Sequence, residues 1–221
     1  MSNIVICLHR TGSTWISHYA SAHFKKPPRP TDPFFFKKAK ELVGNQNPWT
    51  QEWLSMLCDV YGVDVALLIV ENYNEKHFLK IHTSQIYRHN IDDWFRDFYK
   101  NYNKIKVINK NAWRMFTSKI FAFNKVEKNI KNLKLFLDVF VKDYTFYINY
   151  DFYDYTINYN EIDHDWLNAH FKCHLEYKKN VKKDYEKLLQ DRGIDYVQLK
   201  RELYESLKSN GLQLNDYTIS K

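Results

Sequence analysis

An apolar, β-prone run, Ile4-Val5-Ile6-Cys7-Leu8, passes directly into His9-Arg10-Thr11-Gly12-Ser13-Thr14-Trp15. Beyond it, Trp15, Ile16, Tyr19, Ala20 and Phe24 recur at helical spacing. A strand apolar at every position is buried on both faces, as in parallel sheets covered by helices. Three further runs read as strands: His77 to His82 (HFLKIH), Lys104 to Asn109 (KIKVIN) and Tyr155 to Asn160 (YTINYN). Helical patterns separate them. They cover Phe34 to Val43, Asn47 to about Tyr61, Val63 to Tyr73, Ile91 to Tyr102, Ala112 to about Asn129 and Leu133 to about Tyr147. The alternation predicts an α/β fold with a central parallel β-sheet flanked by helices and a helical C-terminal part. In such sheets ligands bind where strands end, which directs attention to the residues after Leu8, Lys80 and Ile108.

A length of 221 residues suits one domain, 1–221, with a helical extension over about 164–221. No apolar run approaches a membrane span, and Ile4 to Leu8 is too short for a signal peptide, so a cytoplasmic protein is expected. The three cysteines, Cys7, Cys58 and Cys173, form no CxxC pair, which argues against a disulfide framework or a zinc site. The formal net charge of +7 permits an anionic partner. AT-rich coding, which enriches Lys, Asn, Tyr and Ile together, accounts for the same charge without any partner.

The first loop has the makings of an anion site. A helix N-terminus offers unpaired N–H groups and the positive end of a dipole. Gly12 lets the backbone approach a phosphate, Ser13 and Thr14 add hydroxyl donors, and Arg10 adds a fixed charge. An ordinary strand-to-helix turn capped by Ser13 or Thr14 would look the same. GxxxxGK[ST] is absent, which disfavours an ATPase or kinase of the Walker A type.

Arg10-Thr11-Gly12-Ser13-Thr14-Trp15 resembles the phosphosulfate-binding loop of sulfotransferases, [KR]-x-G-[ST]-[ST]-[WL], in the same place between first strand and first helix. The resemblance implies a P-loop-NTPase-like sulfotransferase architecture and a donor co-substrate, 3′-phosphoadenosine 5′-phosphosulfate (PAPS), with 3′-phosphoadenosine 5′-phosphate (PAP) as product. It implies that Arg10 contacts the transferring sulfonate and that Trp15 stacks near the adenine. A second match follows the third strand: basic Lys110, then Ser118 eight positions on, similar to the Arg and Ser that hold the 3′-phosphate in that family. Lys replaces Arg here and cannot make a planar bidentate contact, although Arg114 stands one turn further on. A third match, Lys80-Ile81-His82, is similar to the K-[TS]-H segment that carries the family's general base. An imidazole titrates near neutrality and suits an attacking hydroxyl.

The resemblance implies transfer of a sulfuryl group from PAPS to a hydroxyl or amine, on a carbohydrate or small alcohol, without a metal. The catalytic candidates are His82, Arg10 and Lys80, with Asp32 as a second candidate base. Acceptor recognition is expected from Pro27 to Phe36 and from Tyr144 to Tyr159. Tyr159-Asn160-Glu161-Ile162 resembles a Tyr-Glu-Asp-Leu stretch of the family and supports the topology only. The family's C-terminal Arg-Lys-Gly and Gly-Asp-Trp-Lys motif is absent. Two rivals follow: a catalytically degenerate nucleotide-binding protein of the same fold, and a basic interaction protein using Phe171 to Lys208. No nucleic-acid recognition motif is present, neither nucleic acid nor membrane is expected as partner, and the sequence leaves the oligomeric state open.

Overall fold

The computed structural model describes residues 3–13, 15, 16, 19, 79–122, 125–175 and 183–212. Four strands, β1 (Asn3–Cys7), β2 (Leu79–His82), β3 (Asn103–Ile108) and β4 (Tyr155–Asn158), form one sheet in the order β2-β1-β3-β4. Every pairing is parallel, with Cys7 opposite His82 and Ile6 opposite Lys106. This is an α/β fold on an all-parallel sheet.

Eight helices are bounded among the described residues: α1 (Thr83–His89), α2 (Asp92–Phe98), α3 (Ala112–Ile120), α4 (Val126–Lys131), α5 (Leu133–Asn149), α6 (His164–Phe171), α7 (Tyr185–Gln190) and α8 (Tyr196–Ser209). Ser13, Trp15, Ile16 and Tyr19 are also helical. β1 is fully buried from Ile4 to Leu8, and its side chains alternate between two cores. Val5 and Cys7 join Ile105, Val107 and Ile157 against Trp15, Ile16, Tyr19 and the α6 residues Leu167 and Phe171. Leu8 joins the other core, built by α3, α5, α7 and α8 around Phe116, Phe140, Tyr144, Leu189 and Leu203.

β3 alternates Lys with Ile and Val, and its lysines are buried too. Lys106 Nζ donates to the carbonyls of Ile148 and Tyr150 and lies over the rings of Tyr147 and Tyr153. The end of α5 thus receives a cation where its last carbonyls lack partners. Lys104 Nζ reaches the Tyr102 carbonyl at 2.7 Å and Asp154 at 3.2 Å.

Two elements differ from the sequence expectation. The segment expected to be one helix from Ala112 to about Asn129 is two, and α4 fully buries none of its residues, so little packing favours continuing the α3 axis. Asn129 Nδ2 instead donates to the Ile120 carbonyl at 2.8 Å and closes the end of α3. Helix α1 follows His82 directly, where no helix is expected. The expected helices between Phe34 and Tyr73 lie outside the described residues. Among the described residues, no helix is long and apolar enough to cross a membrane.

Candidate functional site

Three turns meet where β1, β2 and β3 end, on one edge of the sheet, because all strands run the same way. In the order β2-β1-β3-β4, the chain leaves β1 toward β2 on one side and leaves β3 toward β4 on the other, so the crevice between the ends of β1 and β3 is a topological switch point. After β1, the Thr11 amide and hydroxyl both donate to the Leu8 carbonyl, at 3.3 and 2.9 Å, which folds the chain back on itself. Arg10, exposed at the corner, adopts φ 70°. The Ile16 amide donates to the Gly12 carbonyl at 3.3 Å and starts the helix. The buried Thr11 hydroxyl is engaged within the turn.

Gly12 has φ +85°, and a Cβ there would stand 2.0 Å from Cδ2 of Tyr159. The sequence suggests that glycine admits a phosphate at this position. In the structure it admits an aromatic ring, and its φ suits glycine for a second reason. Trp15, the expected adenine contact, is 5% exposed and packs edge-on against Tyr19, Tyr159 and His164. It belongs to the core and offers no open face.

After β3, the Asn109 amide donates to the Tyr147 hydroxyl at 2.9 Å, and that hydroxyl donates to the Val107 carbonyl at 2.6 Å. The Tyr144 hydroxyl donates to the carbonyls of Asn109 and Lys110, at 3.4 and 3.2 Å. Asn111 caps α3 by accepting from the Arg114 amide at 2.8 Å. Lys110 is exposed. Ser118 lies on the second turn of α3, and its hydroxyl accepts from Arg10 Nε at 2.7 Å and from the Tyr185 hydroxyl at 3.1 Å. Residues 108 positions apart, each picked from a separate motif, are therefore in direct contact.

Tyr159, following β4, stands against Gly12. Burial pushes its phenol pKa up, while the nearby charges of Arg114 and Arg10 pull it down. Two guanidinium groups thus act on one partly buried hydroxyl, and the Arg10 side chain reaches from the first loop to α3.

After β2, His82 is 6% exposed, and its amide donates to Gln85 Oε1 at 3.2 Å. Its Nδ1 stands 2.8 Å from Nε2 of His9, with the two rings edge to face at 3.6 Å. One proton between these nitrogens holds the pair. Behind His82, the buried Thr83 hydroxyl and Gln85 Nε2 have no hydrogen-bond partner. Such groups are uncommon in a packed interior.

The structure brings together Arg10, Gly12, Arg114 and Ser118, and joins His82 to His9, the residue before Arg10. Lys80 is placed by its backbone in β2, opposite Val5. Thr14, Asp32 and the stretch from Pro27 to Phe36 lie outside the described residues. Ser13 is buried and opens the helix. Sequence reasoning gave no site role to His9 or Tyr185, and named Tyr159 only as the end of the expected acceptor stretch and for the topology. His9 follows a strand whose last residue pairs with His82 in a parallel register, which the structure supplies. Tyr185 carried no signal, since it reaches Ser118 only through tertiary packing. Among the described residues, no group of three or more His, Cys, Asp or Glu could hold a metal ion. Comparison with known proteins found no matching family model, no matching curated protein and no matching solved structure.

Proposed function

We propose that this protein is a PAPS-dependent sulfotransferase acting on a hydroxyl acceptor. The observation that carries the proposal is the 2.7 Å hydrogen bond from Arg10 to Ser118. It joins the two segments that the resemblance assigns to the two phosphate ends of one nucleotide, at the switch point where such sheets bind ligands. Lys110, Arg114 and Ser118 would hold the 3′-phosphate. Arg10, Thr11, Gly12, Ser13 and Thr14 would hold the phosphosulfate, largely through backbone N–H groups at the helix start. The donor supplies an activated sulfuryl group. A bond forms from the acceptor oxygen to sulfur, and the bond from sulfur to the phosphate oxygen breaks.

His82 and His9 take the hydroxyl proton as a pair, and Arg10, with Lys80, offsets the charge that grows on the leaving phosphate. Preorganised donors of this kind contribute a few kcal/mol each to lowering a barrier. The protein's remaining work is positioning. Binding without transfer is the second reading, favoured by Lys110 in place of an arginine and by the absent C-terminal motif.

Thermal shift separates these readings. A ligand that binds only the folded state raises the melting temperature. PAP is expected to raise it more than 5′-AMP or ATP, and Arg10→Ala is expected to remove the preference. Equal shifts from all three nucleotides would end the proposal. A PAP preference with no sulfuryl transfer to carbohydrate and alcohol acceptors would select the second reading.

A further inference from the structure

A cavity of about 230 Å³ opens beside Arg10. Its described lining includes His9, Arg10, Arg88, Lys119 and Lys125 and no carboxylate. Asp143, whose side chain is 2% exposed, accepts from Arg88 at 2.6 Å and from Lys119 at 3.2 Å. Among the described residues, four cations thus line the cavity, and two of them share one buried carboxylate. Lys119 is buried over the rings of Phe136 and Phe140, and burial pushes its pKa below the ordinary lysine value. An anion beside it would relieve that strain on the charged form. Lys125, at the start of α4, is exposed at the cavity mouth with its charge available.

The volume is below the roughly 300–1,000 Å³ of sites for drug-sized ligands. It suits a compact molecule or one end of a longer one. The imidazole pair stands at its wall through His9, and Arg10 belongs both to this wall and to the contact with Ser118. We infer that the cavity is the acceptor end of the proposed transferase site, and that it takes a small anionic acceptor. The acceptor's carboxylate, sulfate or phosphate is held by Arg88, Lys119 and Lys125, and a neighbouring hydroxyl faces His9. The inference rests on the sulfotransferase reading for the word acceptor. The charge of the cavity stands without it.

The test is calorimetric titration of the full chain, saturated with PAP, with glucose 6-sulfate, glucose 6-phosphate, glucuronate and glucose. The three anions are expected to bind at least tenfold more tightly than glucose. Lys125→Glu, at an exposed position, is expected to remove most of that preference, and its unliganded melting temperature checks that it folds. PAP binding with no anion preference overturns this inference and leaves the functional proposal standing. Anion preference lost in Lys125→Glu, in a chain that binds no PAP, overturns the functional proposal and keeps the cavity as an anion site. A preference unchanged by both Lys125→Glu and Lys119→Met places the anion elsewhere and overturns the inference.

Discussion

Gly12→Ala tests the construction of the site with no ligand present. Two costs are legible in the structure. The backbone stands at φ +85°, where an L side chain costs about 1–2 kcal/mol. The new methyl would also stand 2.0 Å from one ring carbon of Tyr159 and 2.1 Å from another, so the ring must move. Forcing a side chain out of a packed position costs about 1–3 kcal/mol. The sum is about 2–5 kcal/mol, and at roughly 2–4 °C per kcal/mol for a chain of this size it is a large shift in melting temperature. The two costs separate in a double-mutant cycle with Tyr159→Ala, read by urea denaturation. Removing the ring leaves only the backbone cost, so the substitutions should couple by about 1–3 kcal/mol, with the double mutant less damaged than the sum. Additive effects would mean that Tyr159 does not stand on Gly12 and that the loop's glycine has another cause.

Ser118→Ala removes the acceptor shared by Arg10 and Tyr185 and should cost about 1 kcal/mol in stability, since exposed Arg10 can turn to water. It should abolish any PAP preference in thermal shift. Burial pushes Lys106 from 10.5 down to about 8, against the opposing charge of Asp151. The unfolded chain then holds more protons, and stability should rise between about pH 8 and 10. Above pH 10 the slope should reverse, because burial and the hydrogen bond to Asp92 raise the Tyr150 pKa and keep its proton in the folded state. Lys106→Met should flatten the rising limb in pH-dependent denaturation, and an unchanged limb would refute the assignment. Asp143→Asn leaves Arg88 and buried Lys119 without their carboxylate and should cost about 3–5 kcal/mol. Lys119→Met, which leaves Asp143 paired with Arg88, should cost less by the same assay.

The four described strands were legible because each is a run of β-prone residues bounded by turn signals, and their ends moved by only a residue or two. Helix α1 was not legible, since Thr83 to His89 is two turns long with a single large buried apolar residue, Ile86. The break between α3 and α4 was hidden because charged residues such as Lys125 and Glu127 are as compatible with an exposed helix face as with a loop. In the site, Arg10 and Ser118 were picked out by the resemblance of two separate segments to one family. The His9–His82 contact needed the strand register, and Tyr159 over Gly12 needed the order of β3 and β4, neither of which one sequence specifies. The basic cavity is written in residues from four separate segments, none of which is unusual by itself.

The hydroxyls of Tyr144 and Tyr147 bind the backbone on both sides of Asn109, so a long helix on the far side of the chain acts as the mould for the turn after β3. Inherited variation in that helix would reshape the turn without touching any residue in the crevice. Phenylalanine at either tyrosine keeps the ring and deletes only the oxygen, so it would loosen the turn while leaving the core filled.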